Sequence, residues 1–192
     1  IKDFRSSCRA RPINPKLYQA VKDEFQRLRG YFYVPSDSKV ESPLVIAPKA
    51  TPPYVRFCGD YVKVNTMIDC PHGARKNVRD EIAKIKGFSR FGEFDMANSF
   101  HQIRLGEVTS NRLSVVTQFE TVRPLFLPEG VSPASIELQK VVDYIFGDLK
   151  FVVAIFDNLL VCANSDEELY NNIEIFFERR TKFNLTLKTS KT

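Results

Sequence analysis

Two carboxylates that end strand-like apolar runs are the residues in this chain best suited to chemistry. Asp95 follows Gly92-Glu93-Phe94 and leads into Met96-Ala97-Asn98-Ser99-Phe100-His101-Gln102-Ile103, while Asp157 stands between Phe151 to Phe156 and Leu159 to Ala163. Carboxylates distant in sequence and adjacent in space can hold a pair of divalent ions. The chemistry open to such a divided site is phosphoryl transfer, with an attacking hydroxyl activated and a leaving pyrophosphate stabilised. A plainer reading makes Asp95 a strand-end cap and Asp157 a turn residue. Asp157-Asn158 suits a tight two-residue hairpin turn that needs positive φ, so on the hairpin alone the plainer reading is preferred. Asn158 also puts an amide where a second adjacent acid would strengthen a metal site.

The elements that must position these residues can be read from periodicity and punctuation. Asn14-Pro15 is a helix entry, followed by Leu17, Val21, Phe25 and Leu28 at helical spacing and stopped by Gly30. Leu44 to Ala47 and Tyr54 to Cys58, separated by Thr51-Pro52-Pro53, predict a hairpin. A helix is expected over 77–86, with Val78, Ile82 and Ile85 on its inner side and Gly87 as its stop. A strand around Gly92 to Met96 delivers Asp95, and Leu113 to Thr117 reads as another. Leu138, Val141, Val142, Ile145, Phe146 and Leu149 form the buried stripe of a long helix. Ser165 with Glu168 makes a capping box for a last helix facing the core with Leu169, Ile173, Phe176 and Phe177, and Leu185 to Leu187 reads as a final strand. From Asp95 onward this order predicts an α+β arrangement, with helices packed on one face of an antiparallel sheet.

Composition sets outer bounds. A chain of 192 residues that is 43% hydrophobic can bury a sizeable core, as one domain or two joined subdomains. The net charge of +5 is compatible with a polyanionic partner without requiring one. Cys8, Cys58, Cys70 and Cys162 are widely spaced and lack any CxxC pairing, and His72 near Cys70 has no second half-site. A disulfide framework or structural zinc is therefore not expected, and the thiols read as reduced in an intracellular protein of cytoplasm or nucleus. No apolar run approaches the roughly 18 to 20 residues of a membrane span, and no secretory signal pattern is present. The start at Ile1 without Met and the end at Thr192 give the expectation of a piece of a longer protein.

Four blocks, in order, resemble the reverse transcriptase domain of gypsy-type LTR retrotransposons and related retroviruses over nearly the whole chain. They are Ser42 to Lys49 with Val55 to Tyr61 and Asn65; Asp95 to Ile103; Leu127-Pro128-Glu129-Gly130 with Ala134 and Gln139; and Val152 to Val161. The resemblance implies a polymerase right hand without its thumb. Residues 1-70 and 103-133 would be fingers, and 71-102 and 134-192 a palm, with an antiparallel sheet covered by helices on one face in a ferredoxin-like core. It implies an RNA-directed DNA polymerase activity on an RNA or DNA template with primer and dNTP, with thumb and RNase H domains lying elsewhere in a pol polyprotein and no membrane partner.

The same resemblance assigns roles. Asp95 and Asp157 would be ligands of two Mg2+ or Mn2+ ions, with Asn158 beside them in the catalytic motif. Lys49 and Arg56 would meet the incoming triphosphate, and Phe100 would stack under the sugar and exclude a 2′-hydroxyl. Gln102, Gly130 and Gln139 would shape the nucleotide and template pocket next to Glu129, and Lys191 would correspond to a lysine that protonates pyrophosphate. Three residues depart from the family pattern. Asn158 replaces a second acid, Glu129 replaces Phe or Gln beside the nucleotide, and Ser135 replaces a Pro. An amide oxygen can ligate magnesium without offsetting its charge, and a carboxylate near a triphosphate repels it unless paired. The alternatives are thus a reverse-transcriptase-like domain that has lost catalysis and is retained for nucleic-acid or protein binding, and an RNA-binding α+β module without polymerase ancestry.

Overall fold

The computed structural model describes residues 6–68 and 78–188. Along the chain come α1 (Tyr18–Leu28), β1 (Tyr33–Pro35), β2 (Ser42–Pro48), β3 (Val55–Gly59), α2 (Val62–Asn65), α3 (Val78–Lys84) and β4 (Arg90–Asp95). They are followed by α4 (Glu107–Arg112), β5 (Val115–Val116), β6 (Thr121–Pro124), α5 (Ala134–Phe146), β7 (Val152–Ile155), β8 (Asn158–Ala163) and α6 (Asp166–Lys182). Single 3-10 turns occupy Pro15–Leu17 and Ser99–Gln102. The chain divides into two compact units, Ile1–Cys70 with Ile103–Ala134, and Pro71–Gln102 with Ser135–Thr192. Among the described residues no helix is long and apolar enough to cross a membrane.

The first unit is built on a five-stranded mixed sheet in the order β1-β6-β5-β2-β3, in which β2 and β5 run parallel and the other pairs antiparallel. The β2–β3 hairpin forms as the sequence predicts. Asn14 caps the turn before α1, accepting from the Lys16 amide at 3.0 Å, and Val21, Phe25 and Leu28 of α1 are buried. Leu113 to Thr117, expected as one strand, is shorter. Leu113 closes α4, and only Val115–Val116 pairs. Tyr61 is fully enclosed with its hydroxyl donating to Leu113 O at 3.2 Å, and Gly59 is required beside it because a Cβ there would overlap the ring.

The second unit is a three-stranded antiparallel sheet, β4-β8-β7, with α5 and α6 over one face. A run of stacked rings joins the three elements: Phe94 of β4 lies 5.0 Å from Phe176 of α6, which lies 5.0 Å from Phe146 of α5. Burying a side chain of this size contributes roughly 1.5–3 kcal/mol, so this stack is a main source of cohesion. Ser165 caps α6, accepting from the Glu168 amide at 3.1 Å, and Glu168 in turn accepts from the Asn164 amide at 2.7 Å.

The helical stripes are narrower than their apolar pattern suggests. On α5, Leu138, Val142, Ile145 and Phe146 are buried, whereas Val141 is exposed and Leu149 lies beyond the end of the helix. On α6 it is Phe176 and Asn172 that are buried, Asn172 donating to Cys162 O at 2.9 Å. Helix α3 turns Glu81 inward and leaves Ile82 exposed, and Lys84 meets the buried Glu81 carboxylate at 2.7 and 2.9 Å. Leu185 to Leu187 is no strand of its own; it touches the end of β4 by a single bridge, Met96 to Leu187.

Candidate functional site

Strand β4 ends on Asp95, and its partner β8 begins on Asn158, directly opposite. Directly opposed residues of an antiparallel pair lie about 4.5–5.5 Å apart at Cα and point to the same face. Phe94 points to the helix-covered face, so Asp95 and Asn158 share the other one. Asp157 precedes Asn158 in the turn, where its carbonyl accepts from the Met96 amide at 2.8 Å, one register step from Asp95. The backbones of the two acids are therefore neighbours at one end of the sheet.

The turn differs from the expected one by a single residue. Ile155 pairs with Asn158, so the two loop residues are Phe156 and Asp157, and the positive φ falls on Phe156 at 57°. A bulky residue in this region is uncommon and costs about 1–3 kcal/mol, which persists only when the surroundings over-determine it. Gln139 of α5 supplies that constraint. Its Oε1 accepts the Phe156 amide at 2.8 Å, and its Nε2 donates to Ala154 O at 3.1 Å and to Asp143 Oδ1 at 2.9 Å. Gln139 is itself buried.

A second glutamine does the same on the other side of Asp95. Gln102 Nε2 donates to Ala97 O and to Thr186 O at 3.0 Å, while its Oε1 accepts the Thr186 amide at 2.8 Å. The Ala97 amide also donates to Thr186 O at 2.9 Å, and the Lys188 amide to Asp95 O at 2.8 Å. This pinned segment carries the Lys188 ammonium to 3.5 Å from Asp95 Oδ2, with the Asp95 side chain 5% exposed and that of Lys188 41%. Phe100, in the 3-10 turn after β4, is half-buried.

Within the first unit a different set assembles. Lys49 is exposed just past β2, and Arg56 on β3 is likewise exposed. Arg56 forms an ion pair with Glu129 at 3.5 Å, so the unexpected carboxylate has a cationic partner. Gly130 has φ +91°, which favours glycine. Asn65 fixes this loop from both sides, donating to Gly130 O at 2.9 Å and accepting the Ser132 amide at 2.9 Å. Burial, and then the Glu129 charge, push the Cys58 thiol above its ordinary pKa, so it stays protonated at neutral pH. Cys8 and Cys162 are free thiols as well. Lys191 lies outside the described residues, as do Cys70 and His72.

Among the described residues no group of three or more His, Cys, Asp or Glu side chains gathers as a metal cluster. The donor set at the sheet end is two carboxylates and an amide. That set fits magnesium or manganese, since magnesium is commonly held by one or two carboxylates together with substrate phosphates and its own waters. Its hard oxygens do not suit a softer metal.

No protein-family model matches the chain. It is 24% identical over 192 residues to the Transposon Tf2-7 polyprotein of Schizosaccharomyces pombe, covering 98% of this chain and 14% of that protein. The fold is that of a prototype foamy virus protease-reverse transcriptase, with TM-score 0.83 at 18% identity over 96% of this chain and 25% of that one. A foamy viral protease-reverse transcriptase in complex with RNA/DNA hybrid gives TM-score 0.81 at 14% identity, over 94% and 24% of the two chains. Along nearly its whole length the chain is thus similar to retroelement polyproteins in sequence and to retroviral reverse transcriptases in fold. It spans about one-seventh of the length of the transposon polyprotein it matches.

Four residues make contacts that their positions in the sequence do not announce. Lys188 sits in a segment with no motif of its own, and only the pairing of 186–188 with the end of β4 brings it to Asp95. Asn65 and Gln102 belong to recognisable blocks, but their bidentate amide contacts are long-range, spanning 65 and 84 positions. Gln139, expected to shape a nucleotide pocket, spends its amide on the hairpin instead.

Proposed function

We propose that this domain is the polymerase part of a retroelement reverse transcriptase, extending a primer 3′ end on an RNA or DNA template. The unit of β4, β7 and β8 would act as palm and the unit of the β2–β3 hairpin as fingers. The observation that supports the proposal is the strained Phe156-Asp157 turn, which Gln139 holds beside the end of β4 that carries Asp95. Positive φ at a bulky residue is an expense that folds retain mainly at functional sites.

Divalent ions bound there would supply charge stabilisation to the attacking and leaving oxygens. Asp95 and Asp157 are the carboxylates that would hold them. The primer hydroxyl would attack the α-phosphorus of a dNTP in line, and pyrophosphate would leave. Lys49 and Arg56 are the cations for the triphosphate, where electrostatics provide much of the catalysis. Phe100 would stack beneath the sugar and disfavour a 2′-hydroxyl, Gly130 would help to shape the nucleotide pocket, and Gln139 would act by positioning the hairpin. Lys191 retains its proposed place as the donor of a proton to pyrophosphate.

A second reading, a domain retained for binding after loss of catalysis, is favoured by Asn158 and by two internal ion pairs, Lys188 with Asp95 and Arg56 with Glu129. Primer extension with Mg2+ or Mn2+ separates them, using the native chain, Asp95→Ala and Asn158→Asp. Extension by the native chain that Asp95→Ala abolishes supports the polymerase. Extension only after Asn158→Asp identifies a site that has lost its activity, and none in any variant favours the binding reading.

A further inference from the structure

Lys188 is placed by backbone, not by a wandering side chain. Three hydrogen bonds from Gln102 and the chain end of β4 fix Thr186, and the Lys188 amide itself donates to Asp95 O at 2.8 Å. The ammonium then stands 3.5 Å from Asp95 Oδ2, whose carboxylate is almost fully removed from solvent. A buried carboxylate needs a counter-charge, and this one has a tethered cation on the protein itself. With the amide of Asn158 opposite Asp95 in place of an acid, the Lys188 ammonium faces the Asp95 carboxylate without a second carboxylate across the ladder.

We infer that Lys188 is an internal cation of the carboxylate pair: it holds Asp95 in the metal-free chain and must withdraw when a divalent ion binds, so that metal binding here is a cation exchange. The inference rests on the metal-site reading above and adds the residue that sets its affinity. The lysine stem is suited to the exchange. It is flexible, four carbons long and 41% exposed, so its head can move into water while the backbone stays pinned. In the resting state the Lys188 ammonium offsets the Asp95 charge, so that the buried carboxylate is stable without a bound ion.

The test is Mn2+ binding, followed by the loss of the free-ion paramagnetic resonance signal, together with thermal unfolding of the metal-free chain. Native protein is compared with Lys188→Met, Lys188→Arg and Asp95→Asn. Removing a cation this close is expected to tighten Mn2+ binding in Lys188→Met by about tenfold or more. The same variant should unfold at lower temperature without metal and recover when Mn2+ is added. Lys188→Arg, which keeps the charge, should stay near the native affinity. If Lys188→Met folds poorly, Lys188→Gln gives the same comparison with a polar stem. Equal or weaker Mn2+ binding in the neutralised variants, with binding still abolished by Asp95→Asn, overturns the role of Lys188 and leaves the metal site standing. Absence of Mn2+ binding in the native and the neutralised chains alike overturns both.

Discussion

Gln139 and Phe156 are joined across the second unit by a hydrogen bond of 2.8 Å from the Phe156 amide to the glutamine Oε1. Phe156 holds φ at 57°, a conformation ordinarily left to Gly at the first position of a two-residue hairpin. Through this contact a buried side chain on α5 determines the path of the turn that carries Asp157. The same glutamine also donates to Ala154 O, so it grips the hairpin on both sides of its bend.

Replacing Gln139 with Leu should therefore cost more than a surface change of similar size. The variant leaves polar groups of the hairpin without partners, a loss of about 1–3 kcal/mol. Urea unfolding measures it. A change under about 0.5 kcal/mol, the range of surface substitutions away from such features, would show that the turn holds its shape without the clamp.

Asn158 faces Asp95 directly across the β4–β8 ladder, and this bears on restoring the missing acid. In Asn158→Asp, like charges would stand opposite each other, destabilising the metal-free chain by about 0.2–1 kcal/mol. Divalent ions should reverse the effect, because the added carboxylate offsets more of their charge. Thermal unfolding with and without Mg2+ reads both signs. A variant more stable than native in chelator would contradict this account of the register.

Glu129 and Arg56 form an exposed pair, with side chains 45% and 56% accessible. Pairs of this kind contribute about 0–1 kcal/mol, so Glu129→Gln should leave stability nearly unchanged. It should free the Arg56 guanidinium and remove a carboxylate beside it, tightening the binding of a nucleoside triphosphate, whereas Arg56→Ala should weaken it. Titration with a fluorescent dNTP analogue measures both. Weaker binding in Glu129→Gln would mean that the carboxylate helps to hold Arg56 in a productive position.

Arg179 on α6 makes a two-pronged contact with Asp148 at 2.7 and 2.8 Å, and also donates to Ile145 O at 2.8 Å. The guanidinium holds the Asp148 carboxyl below its ordinary value. A carboxyl with its folded pKa depressed stabilises the fold above its unfolded pKa, and that contribution fades as pH falls through the lower folded value. Stability should thus decline with acidification in the range below about pH 4, and Asp148→Asn should flatten that part of the profile. Identical acid unfolding of the two chains would show that the exposed pair contributes nothing.

Much of this arrangement is legible in the residues because local rules and packing agree. Asn14-Pro15 opens a helix, Ser165 and Glu168 open another, and the β2–β3 hairpin follows its Pro-rich turn. The Phe156-Asp157 turn was displaced by one residue because Asp-Asn is the better turn pair by local preference, while the ladder of β7 and β8 and the Gln139 clamp put the bend on Phe156. On α3 Glu81, paired with Lys84, is buried and Ile82 is exposed, against the apolar period of that short helix. Lys188 could not be found in the sequence, since its proximity to Asp95 depends on a non-local backbone pairing.

The central claim is that Asp95 and Asp157 together form a divalent-metal site. Calorimetric titration of Mn2+ into the native chain and into the Asp95→Ala, Asp157→Ala double variant tests it most directly, with circular dichroism to establish that both are folded. The account predicts saturable heat from the native chain that the double variant loses. Equal binding by the two proteins would contradict it.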